Sequence, residues 1–251
     1  MSFYVATLLT LAWLRLPNPQ VIALTAVCVA TLLTVMIWER GRWSLGLFVP
    51  PQLALRELAF GLAAGAAVIG ACAALIVATT SLRHAPGRGF PWLELFTVFI
   101  PAALHEELVF RGYVFQKLWR WRRGFALLFV AFIFAALHMN NTAVTMLGIG
   151  NVFLGGVLLG VAYERYERLW FPIGLHLAWN LMSGPILGHE VSGYVSDATL
   201  FVTRGEGAAW LTGGDFGIEG SVWMTFVEIV AIAALVRRNA SLRARAMRNS
   251  A

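Results

Sequence analysis

The sequence predicts an all-α, polytopic membrane helix bundle of about eight transmembrane helices. Hydrophobic residues make up 59% of the 251 positions and charged residues 13%, against about 25% charged residues in a typical soluble domain. Apolar runs recur along the whole chain, and charged or Gly/Pro-rich stretches separate them. We therefore expect one integral-membrane domain over residues 1–251, surrounded by the lipid bilayer and without a nucleic-acid partner.

The predicted spans are the apolar runs that approach the length needed to cross the hydrocarbon core. They are, in order, residues 2–14, 20–38, 58–80, 91–116, 124–139, 143–162, 171–187 and 221–236. An interfacial connector is expected over residues 39–57, a basic loop over 117–123 and a long Gly-rich loop over 189–220. Thr142 is expected to cap the sixth span, and the basic tail 237–251 is expected to fray.

The distribution of basic residues predicts the orientation of these spans. If the N-terminus is cytoplasmic and the spans alternate, 14 of the 19 Lys and Arg residues fall on the cytoplasmic side. Basic residues are enriched in the cytoplasmic loops of membrane proteins. We therefore expect both termini in the cytoplasm and the 189–220 loop on the opposite side.

The predicted fourth span contains a cluster of charged residues, Glu106, Glu107 and Arg111. Each charge costs about 2.5–3.5 kcal/mol at a helix centre on insertion scales, which marks the cluster as a candidate functional site. Glu107 and Arg111 are spaced i,i+4 and share a helix face, whereas Glu106 points about 100° away. We interpret Glu107 and Arg111 as a supporting ion pair and Glu106 as a reactive carboxylate. The alternative is that the three charges satisfy one another at a helix–helix contact.

Three further polar side chains lie in apolar runs, at His138, His176 and Asn180. His176 and Asn180 are spaced i,i+4 and share a face. Taken singly, each histidine is more typical of a buried core residue. Together with Glu106, the two histidines and Asn180 predict one site between spans four, five and seven. These spans lie in an expected catalytic core of residues 91–187. A carboxylate and an imidazole can activate water, and a second imidazole with an amide can bind an oxyanion.

These residues occur in three motifs. The motifs are Glu106-Glu107-x-x-x-Arg111, Phe134-x-x-x-His138 and His176-x-x-x-Asn180. In this order they resemble the motifs of the CPBP (Abi) family, which contains CAAX prenyl endopeptidases and bacteriocin-processing or immunity proteins. The resemblance covers about residues 92–180, and the Gly-rich stretch 210–220 is also similar to that of some bacterial members.

The resemblance implies an intramembrane glutamic endopeptidase of a bacterial inner (plasma) membrane, acting on a peptide or membrane-protein substrate without a metal or cofactor. It implies that Glu106 and His138 hold the water and that His176 and Asn180 bind the oxyanion. It also implies that Glu107 and Arg111 support the site, in agreement with their helical spacing.

Two other functions stay open at this point. Glu106, His138 and His176 are also a possible two-His, one-carboxylate zinc set of a metalloprotease. A non-enzymatic immunity or scaffold protein would use the same charges for helix packing. For Glu228 we expect a neutral carboxyl or an interhelix hydrogen bond, and for Glu219 a solvated position in the outer loop.

Overall fold

The computed structural model describes residues 18–249, so the predicted first span lies outside the described residues. The fold is a helical bundle with a small two-stranded antiparallel sheet at one end. The helices are α1 (Pro19–Ile37), α2 (Pro51–Thr79), α3 (Trp92–Glu94), α4 (Ile100–Phe110), α5 (Tyr113–Trp121), α6 (Arg123–His138), α7 (Met146–Tyr166), α8 (Trp170–Leu181), α9 (Ala209–Thr212) and α10 (Val222–Asn249). The strands are β1 (Arg83–Pro86) and β2 (Phe201–Arg204).

Three described helices are long and apolar enough to cross a membrane on their own, namely α1, α2 and α7. Helix α6 is apolar but shorter. The prediction of a helical fold with candidate membrane spans is therefore confirmed, whereas the count of eight spans stays a prediction.

The prediction of one continuous span over residues 91–116 is wrong. The segment Leu95–Phe99 is π-helical, because Pro101 has no N–H to continue the regular hydrogen-bond ladder in front of α4. A second break follows Arg111: the backbone of Gly112 leaves the helical region with a ψ of −140°, and a side chain there would collide with the Leu108 carbonyl. As a consequence, most of the predicted basic loop 117–123 belongs to helix α5.

Other helix boundaries in the structure differ from the predicted ones, and local interactions explain the differences. Helix α2 begins at Pro51 rather than at residue 58, because proline is well suited to the first helical turn. Thr145, and not Thr142, caps α7, since its hydroxyl accepts a hydrogen bond from the Gly148 N–H at 2.9 Å. Helix α10 continues to Asn249. The prediction that the tail frays is therefore wrong over residues 237–249.

The close approach of α2 to α8 sets the position of the helix that carries His176 and Asn180. Gly61 and Gly65 form a GxxxG step on α2, and Gly174 faces them from α8. A Cβ atom at any of these three positions would collide with backbone of the other helix. Small residues of this kind let two membrane helices pack with their backbones nearly in contact.

The predicted Gly-rich loop 189–220 contains ordered structure. Strand β2 pairs antiparallel with β1, with Arg83 opposite Arg204 and Pro86 opposite Phe201. Helix α9 and two short 3-10 turns, Gly214–Phe216 and Ile218–Gly220, lead into α10. This segment therefore packs over one end of the bundle, called here the loop end.

Candidate active site

A cavity of about 860 Å³ lies between α4, α6 and α8. Glu106, His138, His176 and Asn180 all line it. The four candidate catalytic side chains, which are up to 74 positions apart in the sequence, therefore share one space. The other lining residues on α4 and α6 are largely apolar, and polar groups are concentrated at the loop end.

Glu107 and Arg111 form the expected ion pair behind the cavity. Arg111 Nη1 lies 3.0 Å from Glu107 Oε1, and both side chains are almost completely buried. Arg111 Nη2 donates to the Gly156 carbonyl oxygen of α7 at 3.0 Å. The guanidinium carbon also lies 5.0 Å from the centre of the Phe134 ring. The pair thus ties α4 to α6 and α7.

Glu107 also binds the His176 ring, which helical spacing alone did not predict. His176 Nδ1 lies 2.9 Å from Glu107 Oε1, and His176 Nε2 lies 3.7 Å from Glu106 Oε2. Because a carboxylate accepts hydrogen bonds, Nδ1 is the donor to Glu107. This contact fixes the ring and leaves Nε2 turned toward Glu106.

His138 is oriented by its own helix. Its Nδ1 lies 2.7 Å from the Phe134 carbonyl oxygen one turn earlier, so this nitrogen carries the proton. In the neutral ring, Nε2 is then the free acceptor, as a general base requires. Asn180 lies one helical turn after His176 on the cavity wall and is buried, with 8% of its surface exposed.

Sequence reasoning assigned Glu219 to a solvated surface, and this prediction is wrong. Glu219 is 6% exposed and lines the loop end of the cavity with Asn141, Ser192 and Tyr194. The signal available in the sequence was its position in the Gly-rich stretch 210–220, which the family resemblance had already singled out. Its depth depends on the folding of that stretch onto the bundle.

Glu228 is completely buried on α10. Neither of its carboxyl oxygens has a hydrogen-bond partner among the described residues, so the expected interhelix hydrogen bond is not formed there. The side chain lies against Gly155, where an added Cβ would be 3.2 Å from Glu228 Oε1. Gly155 is itself part of the cavity wall.

The zinc alternative receives no geometric support. Across residues 18–249, no three His, Cys, Asp or Glu side chains converge as a possible set of metal ligands. His176 Nε2 lies 3.7 Å from Glu106 Oε2, but His176 Nδ1 is already bound to Glu107 at 2.9 Å.

His189, near the loop end, has a strongly lowered pKa. Burial, and secondarily the neighbouring His84, lowers the pKa of His189 to about 4. The two imidazole rings meet edge to face with their centres 5.4 Å apart. His189 Nε2 is buried without a hydrogen-bond partner in the described part of the chain, so protonation at that nitrogen is costly.

Comparison with known proteins gives one family match and one relative. Residues 88–182 match the family model "Type II CAAX prenyl endopeptidase Rce1-like". An Escherichia coli protein described as "Uncharacterized 24.3 kDa protein" is 34% identical over 88 residues, which are 34% of this chain and 40% of the relative. The chain thus aligns with less than half of that relative, and no solved structure matches it.

The matched segment contains every candidate catalytic residue and the complete Glu107–Arg111 pair. Its family description agrees with the resemblance inferred from the three motifs. Residues 88–182 are therefore similar to the Rce1-like family of type II CAAX prenyl endopeptidases.

Proposed function

We propose that this protein is a glutamic-type intramembrane endopeptidase that hydrolyses a peptide bond of a peptide or membrane-protein substrate. The observation that carries the proposal is the convergence of Glu106, His138, His176 and Asn180 on one cavity. The Rce1-like family match supports peptidase activity in a membrane setting. The finer assignment of a carboxylate-activated water rests on the chemistry of these four groups.

In the proposed reaction, Glu106 and His138 hold one water molecule in the cavity. The water oxygen attacks the carbonyl carbon of the scissile bond while its proton passes to Glu106 or to His138 Nε2. The carbonyl π electrons move to oxygen and give a tetrahedral oxyanion. The C–N bond then breaks, and the departing nitrogen takes the proton to leave as an amine.

His176 and Asn180 are assigned to the oxyanion. The Asn180 side-chain amide is a donor in any protonation state. His176 already donates from Nδ1 to Glu107, so this role requires a second proton on Nε2. Donors that are held before the reaction stabilise developing charge without reorganisation, and the bond from His176 Nδ1 to buried Glu107 would hold the ring in this way.

For the setting, we propose a bacterial inner membrane with both termini in the cytoplasm. The basic residues of α5 and of the C-terminal helix support this orientation because they would lie on the cytoplasmic side. The loop end of the cavity would then face the opposite compartment.

The test compares membranes from cells that contain wild-type protein or the Glu106→Gln variant. New peptide termini should appear in the wild-type membrane proteome and be absent with Glu106→Gln, because the amide keeps the shape but removes the base. Peptides found this way then serve as substrates for purified protein. Equal sets of termini in both samples would contradict the proposal.

A chelation arm tests the zinc alternative. We expect purified protein to keep its cleavage rate after bound metal is removed. Stoichiometric zinc in active protein, with loss of cleavage on chelation and recovery on zinc addition, would instead establish a metalloprotease.

A further inference from the structure

The Glu219 carboxylate accepts hydrogen bonds at both oxygens. Glu219 Oε1 accepts from Trp179 Nε1 at 2.7 Å. Glu219 Oε2 accepts from both the backbone N–H and the hydroxyl of Ser192, each at 2.6 Å. All three partners are donors to an almost completely buried side chain, so the carboxylate is suited to holding these groups in place.

The Ser192 end of this arrangement belongs to a short segment, residues 191–194, called here the strap. The strap lines the loop end of the cavity. Ser192 has a φ of +48°, which non-glycine residues seldom adopt. Its carbonyl oxygen accepts from Asn141 Nδ2 at 3.0 Å, and the Tyr194 ring packs against Phe99, with ring centres 5.9 Å apart. The strap therefore bridges the chain that follows α6 and the segment that precedes α4.

The Trp179 end belongs to the candidate active site. Trp179 immediately precedes Asn180 on α8 and lies three residues after His176. Glu219 is itself held by the neighbouring helix, because Asn151 Nδ2 of α7 donates to the Glu219 carbonyl oxygen at 2.7 Å. One carboxylate thus connects the strap, the active-site helix and α7.

We propose that Glu219 is a positioning residue of the peptidase: it closes the strap over the loop end of the cavity and, through Trp179, orients Asn180. The proposal rests on the proposed function for its catalytic part. Without the bonds to Ser192, the strap would open and admit bulk water to the cavity. Without the bond to Trp179, that side chain would rotate and move the adjacent Asn180 amide away from the oxyanion.

The strap is tested by amide hydrogen exchange of the purified full-length protein. Glu219→Gln replaces Oε2 by an NH₂ group, or reorients the amide so that Trp179 loses its acceptor. We expect exchange within residues 191–194 to become about tenfold faster or more, as the loss of hydrogen bonds to a charged group predicts. Asp215→Asn is the matched control, because it removes one negative charge from the same loop at an exposed position.

Ser192→Ala provides a second variant if Glu219→Gln does not fold. It removes the hydroxyl bond and keeps the backbone N–H bond, so it should accelerate exchange by a smaller factor. Exchange at the control rate in both variants would overturn the strap part of the proposal.

The catalytic part is tested by the kinetics of peptide cleavage. Glu219→Gln and Trp179→Phe should each lower kcat by about tenfold with KM changed by less than about twofold, because the Asn180 amide acts on the transition state. If Glu219 acts through Trp179, the double variant should be no slower than Glu219→Gln alone. Additive losses, an effect on KM alone, or kcat equal to that of Asp215→Asn would overturn the assignment.

Failure of this proposal is distinguishable from failure of the proposed function. If wild-type protein and Asp215→Asn both cleave no peptide, the peptidase proposal fails and the catalytic part fails with it. If both cleave and Glu219→Gln cleaves equally well, only the role of Glu219 is overturned.

Discussion

Behind the cavity, Glu107 is bound by the Arg111 cation and the His176 ring, whereas at the loop end Glu219 is bound by the neutral donors of Trp179 and Ser192. Both carboxylates are buried. Removing the charge of Glu107 leaves Arg111 as an uncompensated buried cation, but removing that of Glu219 leaves only neutral donors. We therefore expect the Glu107–Arg111 pair to affect stability and activity together, and Glu219 to affect the position of the strap.

The largest effect is expected from breaking the Glu107–Arg111 ion pair. Glu107→Gln and Arg111→Met should each lower stability by about 3–5 kcal/mol, the cost of removing one partner of a buried ion pair in soluble proteins. Glu106→Gln should abolish cleavage with a nearly unchanged melting temperature. Melting temperature and peptide cleavage measured on the same detergent-solubilised samples provide the check.

The double variant serves as the control for that measurement. Combining Glu107→Gln with Arg111→Met should recover part of the stability, because no lone charge remains. An unstable Glu106→Gln, or a stable and wholly inactive Glu107→Gln, would show that the roles of the two adjacent glutamates are reversed.

A loss of activity without a loss of stability is expected at Asn180. Asn180→Ala should lower kcat by about 10²–10³-fold, as the removal of one oxyanion donor typically does. Asn140→Ala is the control, since Asn140 also lines the cavity but lies at its loop end. Steady-state kinetics check the difference, and equal losses in the two variants would argue against the oxyanion role.

A smaller, pH-dependent effect is expected at the loop end. The pKa of His189 is lowered to about 4 in the folded protein, from about 6.5 in an unfolded chain. Between these values the unfolded state binds more protons, so stability falls as the pH is lowered from about 6.5 toward 4. The melting temperature should follow this fall, and His189→Gln should flatten it. An equally steep dependence in His189→Gln would assign the effect to other groups.

The comparison also depends on which side of the membrane holds the loop end. Cysteines introduced at Asp215, which is exposed in the 189–220 segment, and at Ser250 should react with impermeant reagents from opposite sides of the membrane. These substitutions should change neither stability nor cleavage appreciably. Labelling of both positions from the same side would overturn the predicted topology.

Features that depend on local spacing were predictable from the sequence. The i,i+4 rule placed Glu107 beside Arg111 and turned Glu106 away from them, and the structure has this arrangement. The composition predicted a helical membrane protein, and the three motifs predicted a resemblance to the CPBP family, which the match over residues 88–182 confirms. These inferences succeed because helical periodicity is a property of one segment and requires no knowledge of its neighbours.

Contacts between segments were decided only by the tertiary structure. Nothing in the spacing of α4 indicates that Glu107 binds His176 of α8, and nothing local to the Gly-rich stretch indicates that Glu219 reaches Trp179 and Ser192. These contacts depend on the axial position and the rotation of each helix relative to the helices it packs against. That register is set by the shapes at the crossings, such as Gly61 against Gly174, and the sequence of a single helix carries no record of which partner it meets.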